Sequence, residues 1–509
     1  MQMTAIGVSI TGAPSTKAKE WNGINWDYVY AVVKRLQMRI AKAIKEGRYN
    51  KAKALQWILT HSYYAKLLAI KRVTQNTGAK TPGVDGVKWK TSTQKMQAVL
   101  SLKRRGYQPQ PLRRIYIPKK LGGKRPLSIP CMIDRGMQAL HLMALEPVME
   151  TMADKNSYGF RPKRSCADAI EQCFTALARK AAAQWVIEGD IKACFDKISG
   201  QWLLNNILTD KVILAKWLTA GYMEQMKLHS TFDGVPQGGI ISPALLVLTL
   251  AGLEKRIKKA TNRKDKVNTV LYADDLIITG NSKEMLEYKV LPVVEDFLKE
   301  RRLELSIEKT KLTHIDDGFE FLGFTIRKCN GKLLIKPSKK NIKSFLASMR
   351  KNIKTNATVK TDQLIRLLNP KIRGWTNYFR HVVAKATFSY IDYHIFRALL
   401  QWVKRRHPNK GAFDRNKIYF STKGSAIWIF SVHVKNKKGK CISLELLRAS
   451  QTPIHRHIKI KAEANPYDPA FNEYFLKRKL FRNKARKIKE VSSSIQKPFQ
   501  EEPTDSRIM

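Results

Sequence analysis

The sequence predicts an α+β fold. Apolar residues recur at helical spacing near the N-terminus, and short continuous apolar runs in the middle of the chain read as buried strands. A third observation sets the character of the molecule. Among 509 residues, Lys and Arg number 94 against 41 Asp and Glu, a net charge of +53, while 43% are hydrophobic. That composition excludes a disordered basic tail and predicts a folded protein whose surface meets a polyanion. The best apolar run, Pro243 to Leu253, is too short to span a bilayer and reads as core, so the expected polyanion is nucleic acid and not a membrane. The length allows roughly three to four domains.

The elements follow in order. Residues 1–24 are polar and read as a flexible leader without an apolar signal region, so a cytoplasmic protein is expected before an organellar one. Val29, Val33, Leu36, Ile40 and Ile44 mark one face of a helix that Gly47 can stop, and a second helical stretch is expected from about Ala52 to Lys71. Thr81-Pro82-Gly83-Val84-Asp85-Gly86 predicts a loop. Residues 103–125 carry nine basic side chains and no acid. Within and just beyond them, Ile115-Tyr116-Ile117 and Leu127-Ser128-Ile129 predict two strands joined at Gly122-Gly123, a basic hairpin able to close over a phosphate-bearing ligand. The six cysteines include no CxxC pair, which predicts neither a zinc site nor a disulfide framework and suits a reducing, intracellular compartment.

Two segments carry the chemistry. Trp185-Val186-Ile187-Glu188-Gly189-Asp190 reads as a buried strand delivering Asp190 at its end. Thr269 to Tyr272 and Leu276 to Ile278 read as strands flanking Ala273-Asp274-Asp275 at a tight turn. Adjacent carboxylates beside apolar strands resist burial unless a cation neutralises them. Oxygen ligands without His or Cys suit Mg²⁺, and two such ions can assist phosphoryl transfer. Asp190 and Asp274 are the first expected ligands and Asp275 the third. Gly234-Val235-Pro236-Gln237-Gly238-Gly239, lying between these segments, offers a backbone that a substrate can approach closely, ahead of an apolar helix from about Ser242.

Asp190 to Asp196, Gly234 to Pro243 and Tyr272-Ala273-Asp274-Asp275, in that order, resemble the palm motifs of a reverse transcriptase. Three further signatures narrow the resemblance to the reverse transcriptase/maturase proteins encoded within group II introns. They are Thr81 to Gly86, Ser157-Tyr158-Gly159-Phe160-Arg161-Pro162 and Gly374-Trp375-Thr376-Asn377-Tyr378-Phe379-Arg380-His381, and the likeness runs from about residue 25 to 475. It implies a right-hand polymerase with fingers, palm and thumb. The implied order is an N-terminal extension (25–90), fingers and palm (91–334), a helical thumb/maturase domain (335–405), a DNA-binding region (406–475) and a basic tail (476–509). By the same resemblance, Asp190, Asp274 and Asp275 hold two Mg²⁺ ions. Lys119 and Arg125 contact the incoming deoxynucleoside triphosphate, Gln237 lies beside its sugar, and Phe195 is a steric gate against a ribose 2′-hydroxyl. Lys309 is the general acid for pyrophosphate, and Phe321-Leu322-Gly323-Phe324 is the primer grip. Lys371, Arg373 and Arg380 are expected to bind intron RNA phosphates, while Trp375, Tyr378 and Phe379 are expected in the core.

Many members of this family end in a zinc-stabilised nuclease with cysteine pairs. Here Ala464 to Phe475 resembles its beginning, but neither Cys nor His follows, and residues 477–489 hold eight basic side chains. Endonuclease activity and zinc are therefore not expected. The expected partners are the intron RNA, a DNA target and deoxynucleotides, with a homodimer left open. Two alternatives stand beside this reading: a splicing maturase with a relic polymerase site, and a domesticated reverse transcriptase separated from any intron.

Overall fold

Val186 and Ile187 are both fully enclosed although neighbours on a strand point to opposite faces, so the sheet that carries them is covered on both sides. The computed structural model describes residues 21–480 apart from 119–122, 226, 231–233, 425, 436–438 and 440. The leader up to residue 20, Lys119, Gly122 and the tail from residue 481 lie outside the described residues.

The enclosed sheet has four antiparallel strands in the order Asn268–Tyr272, Asp275–Gly280, Trp185–Asp190, Lys311–His314. One face, through Ile187, Leu271, Leu276 and Ile278, joins a core shared with the N-terminal helices. The other, through Val186, Val270 and Ile277, joins a core shared with the C-terminal helices. Apolar side chains on both faces leave no polar alternation, which is why these segments read as unbroken apolar runs.

On the first face, the Met132–Met152 helix is buried almost all round. It packs against the helices Trp26–Lys45 and Tyr63–Gln75. The expected helix from Ala52 to Lys71 is instead two helices, Tyr49–His61 and Tyr63–Gln75, because Ser62 is extended (ψ 128°) between them. No Gly or Pro marks that break. Leu55 and Leu59 before it and Leu67 and Ile70 after it are all buried, so packing and not a local breaker sets the turn. The basic hairpin forms as expected: Leu112–Pro118 pairs antiparallel with Lys124–Ile129. Tyr222–Glu224 and Lys227–His229 extend its sheet.

On the second face, three helices, Lys339–Thr355, Thr361–Phe379 and Lys385–Arg406, close around Leu346, Leu368, Phe379, Phe388 and Leu399. A three-stranded sheet, Phe420–Lys423, Ala426–Lys435 and Cys441–Glu445, follows them. The chain then returns to the centre of the molecule. Asp168, with no exposed surface, accepts hydrogen bonds from His457 Nε2 (2.8 Å), the Ile460 backbone N–H (2.7 Å) and Arg478 (3.0 Å). Tyr467 donates to Glu146 (2.7 Å) and Lys45 pairs with Asp468 (3.1 Å). The segment from about residue 455 to 478 is therefore a strap tied to the middle sheet's helices by polar contacts. No helix among the described residues is long and apolar enough to cross a membrane.

Candidate active site

The three aspartates meet where two strands end. Asp190, the last residue of its strand, stands opposite Asp275, the first of its own. Asp274 occupies the two-residue turn that closes the aspartate hairpin, after Ala273 at φ +59°. Strand pairing thus fixes the register of two carboxylates and the turn supplies the third. The electrostatics show what this costs without a cation. Burial pushes the Asp275 carboxyl up to about 6, with the Asp274 and Asp190 charges adding to it. Asp274 is raised by burial and by Asp190, against its own backbone N–H. Lys309 Nζ lies 2.7 Å from Asp190 Oδ2, and that hydrogen bond raises its ammonium pKa. The site is therefore short of positive charge, as a divalent-cation site of hard oxygen donors is. Among the described residues no group of three or more His, Cys, Asp and Glu side chains is arranged to hold a metal ion.

The hairpin is held from behind by Ser157-Tyr158-Gly159. Tyr158 N–H donates to Leu271 O (2.9 Å), and Leu271 N–H donates to Asn156 O (3.0 Å). A Cβ built on Gly159 would come within 2.2 Å of the Ala273 nitrogen. That neighbour is backbone and cannot move without moving Asp274. Gly159→Ala is accordingly expected to lower primer extension tenfold or more while RNA binding persists, as read by extension and filter-binding assays on the same preparation.

Opposite the aspartates lie the basic hairpin and the Gly234–Gly239 loop. Arg125, exposed on the hairpin, is near enough to lower the Asp274 carboxyl. Ser128 N–H donates to Gln237 O (2.7 Å), and Gly238 (φ +116°) has Ser128 O where a Cβ would sit. Gln237 Nε2 reaches Asp196 (3.3 Å). Phe195 is half-buried, its carbonyl accepting from Val235 N–H (2.6 Å), and the exposed Phe160 stands edge-on to it at 6.4 Å. Gln138, a buried residue of the long central helix, accepts from Ile240 N–H (2.7 Å) and fixes the far end of the loop. Asp190, Asp274, Asp275, Lys309 and Arg125 thus interact directly or electrostatically, and Gln237 is tied to Asp196, the chain neighbour of Phe195.

Residues 117–326 match the reverse transcriptase (RNA-dependent DNA polymerase) family model, 21–102 the N-terminal domain of reverse transcriptase, and 342–420 the group II intron maturase-specific domain. The chain is 36% identical to the protein YkfC of Escherichia coli (strain K12), over 50% of this chain and 77% of that one. It is 29% identical to the group II intron-encoded protein LtrA of Lactococcus lactis subsp. cremoris, over 73% of this chain and 77% of that one. The chain belongs to the group II intron-encoded reverse transcriptase/maturase family. Maturase-like protein 1 of Euglena longa is a more distant relative of this reverse transcriptase, 24% identical over 81% of this chain and 87% of that one.

Lys371, Arg373 and Arg380 of the reverse transcriptase lie apart from the carboxylates, on or just after the Thr361–Phe379 helix. Arg373 is exposed, Arg380 half-buried, and the Lys371 ammonium is held by Asn352 Oδ1 (2.5 Å). The aromatic residues beside them are not all core. Phe379 is buried, but Tyr378 is 41% exposed and its hydroxyl donates to Leu322 O (2.9 Å). That carbonyl lies in the Leu322-Gly323 turn, both residues at positive φ, between the strands Phe319–Phe321 and Phe324–Cys329. Cys166 Sγ lies 2.8 Å from the same hydroxyl, and Trp375 Nε1 donates to Asn341, whose Nδ2 packs on Gly323. The helix matching the maturase-specific domain therefore clamps the Leu322-Gly323 turn, the segment expected from the resemblance to be the primer grip. Spacing could not show this, since core and clamp side chains share the same helical period. Tyr378→Phe removes the bond to Leu322 and is expected to cost about 1 kcal/mol, or roughly fivefold in primer affinity. KM for primer–template would carry the change with kcat nearly constant.

Proposed function

We propose that this chain binds the RNA of its own intron, promotes its splicing and reverse splicing into DNA, and copies the inserted RNA into cDNA. The observation that carries the polymerase part is the register of Asp190 against Asp275, with Asp274 on the adjoining turn and the basic hairpin across from them. Two Mg²⁺ ions bound by these carboxylates would supply charge neutralisation at the attacking and leaving oxygens of nucleotide transfer. Arg125 and Lys119 bind and orient the triphosphate of a deoxynucleotide, and Gln237 lies beside its sugar. Phe195 leaves no room for a 2′-hydroxyl. Lys309, already on an exposed turn beside Asp190, delivers a proton to the departing pyrophosphate.

Lys371, Arg373 and Arg380 offer cations to intron RNA phosphates, and the region from residue 406 faces the DNA target. Recognition of this kind is dominated by phosphate contacts and falls steeply with salt. RNA affinity is expected to drop about a thousandfold or more between roughly 50 and 200 mM salt, the slope of log K against log salt giving the number of phosphates neutralised. The test of the whole reading pairs two assays on one preparation. RNA-templated primer extension reads the polymerase, and splicing of the RNA surrounding the reading frame, with and without protein at low Mg²⁺, reads the maturase. Splicing assistance without extension would select the maturase-only alternative. Extension without splicing assistance would select the domesticated polymerase.

A further inference from the structure

Partly within the region assigned to the DNA target, a groove with no individual role so far runs between the Lys385–Arg406 helix and the middle strand of the C-terminal sheet. It encloses a cavity of about 320 Å³, lined among others by Ser389, Tyr393, Phe396, Trp428 and Arg448. The strand is distorted here. Trp428 has φ +60°, a conformation bulky residues rarely hold, and the pairing register with the neighbouring strand shifts between Ser421 and Lys423. The strained Trp428 remains 46% exposed, its ring standing edge-on to Phe396 (6.3 Å) and Phe420 (5.9 Å). Such strain clusters at ligand clamps and active sites, and here it is kept at an exposed aromatic and not relieved by burial.

The chemistry of the walls narrows the occupant. Tyr393 is 53% exposed and has the Arg397 guanidinium 5.9 Å from its ring centre. Lys385 holds the carbonyl of Ser450 at one end of the groove, and Arg448 lines the cavity with no ion-pair partner among the described residues. Asp392 is the one acid in the lining, and both its oxygens are occupied by the backbone N–H groups of Ala449 (2.6 Å) and Ser450 (2.8 Å). The wall combines aliphatic side chains such as Ile395, Leu399, Ile427 and Leu446 with exposed Tyr393 and Trp428 and one cation, Arg448, while Arg397 donates to the Tyr393 hydroxyl (3.2 Å) just outside it. A flat π-system carrying a phosphate satisfies both the apolar wall and Arg448, whereas an apolar peptide or a lipid tail would leave Arg448 without a counter-charge.

We propose that this groove takes an unpaired nucleobase, stacked against Trp428 or Tyr393, with its flanking phosphate on Arg448 and Arg397. The proposal rests on the nucleic-acid reading above and goes beyond it, since it predicts preference for unstacked bases and not only for backbone charge. An unpaired RNA base and an unpaired base of a DNA strand share this chemistry.

The first test needs no mutation. The full chain is mixed with single-stranded RNA carrying 4-thiouridine, or single-stranded DNA carrying 4-thiothymidine, irradiated, and the adducts mapped by mass spectrometry. Adducts at Tyr393 or Trp428 are expected, and the oligonucleotide that gives them identifies the source. A preparation that extends primers and cross-links only outside the groove would overturn this proposal while leaving the polymerase reading intact. Trp428→Ala should weaken binding of single strands about five- to fiftyfold at fixed salt and leave blunt duplex unaffected, with Trp428→Phe close to the parent. Equal weakening on single strands and duplex would also overturn it, because the residue would then support only the fold or the general field.

Discussion

Asp274→Asn is expected to lower primer extension by about a thousandfold or more while RNA binding stays within twofold. The side chain is nearly isosteric, so the hairpin turn survives; what is lost is one negative oxygen from a set of three. Several kcal/mol of transition-state charge stabilisation depend on cations held there, which is the size of that rate effect. The substitution also relieves repulsion, because Asp274 and Asp190 both push the Asp275 carboxyl upward. Thermal stability of the metal-free protein should therefore stay level or rise as activity disappears. A variant that loses activity and stability together would indicate a damaged fold instead. Calorimetry beside single-turnover extension separates the two.

The largest stability effect is expected at Asp168. Burial alone would raise its carboxyl, but hydrogen bonds from His457 and Ser165, the His457 charge and the Ile460 N–H outweigh burial and hold it at about 2. Asp168→Ala leaves the enclosed Arg478 and His457 side chains facing an uncharged gap, a kind of loss that costs about 3–5 kcal/mol. The strap from residue 455 onward should detach first, read as faster proteolysis between 455 and 478 at a lowered melting temperature. The pH dependence has a definite sign. A carboxyl whose folded pKa lies below its unfolded value stabilises the fold above about pH 4, and that contribution is lost as pH falls toward 2. The parent should lose about 2 kcal/mol across that window and Asp168→Ala should not. Equal acid sensitivity in both proteins would remove Asp168 from the account.

The aspartate site was legible in the sequence because its parts are local. A buried strand announces itself by a continuous apolar run, and a carboxylate at its end has no structural reason to be there. The basic hairpin was equally legible from alternation and its glycines. What escaped the sequence depends on partners distant along the chain. Ser62 breaks a helix without a breaker residue because tertiary packing on both sides demands it. The strap read as the end of a DNA-binding region and, from Ala464, as the beginning of a nuclease, since His457, Ile460 and Arg478 show their structural partner only against Asp168, about 300 residues away. Tyr378 sits at a core-like period but reaches the Leu322-Gly323 turn, and Gln138 and Gly159 earn their roles only through the backbone they touch. Even the family resemblance could not separate Lys371, already engaged by Asn352, from the freer Arg373.

The most direct test of the central claim is single-nucleotide primer extension on an RNA template with Mg²⁺, supplying deoxynucleotides or ribonucleotides to the parent and to Phe195→Ala. The parent should extend with deoxynucleotides and reject ribonucleotides, and Phe195→Ala should gain ribonucleotide incorporation while keeping deoxynucleotide extension. A folded, RNA-binding parent that extends neither, or a parent that uses both equally, would contradict an RNA-copying DNA polymerase built on Asp190, Asp274 and Asp275.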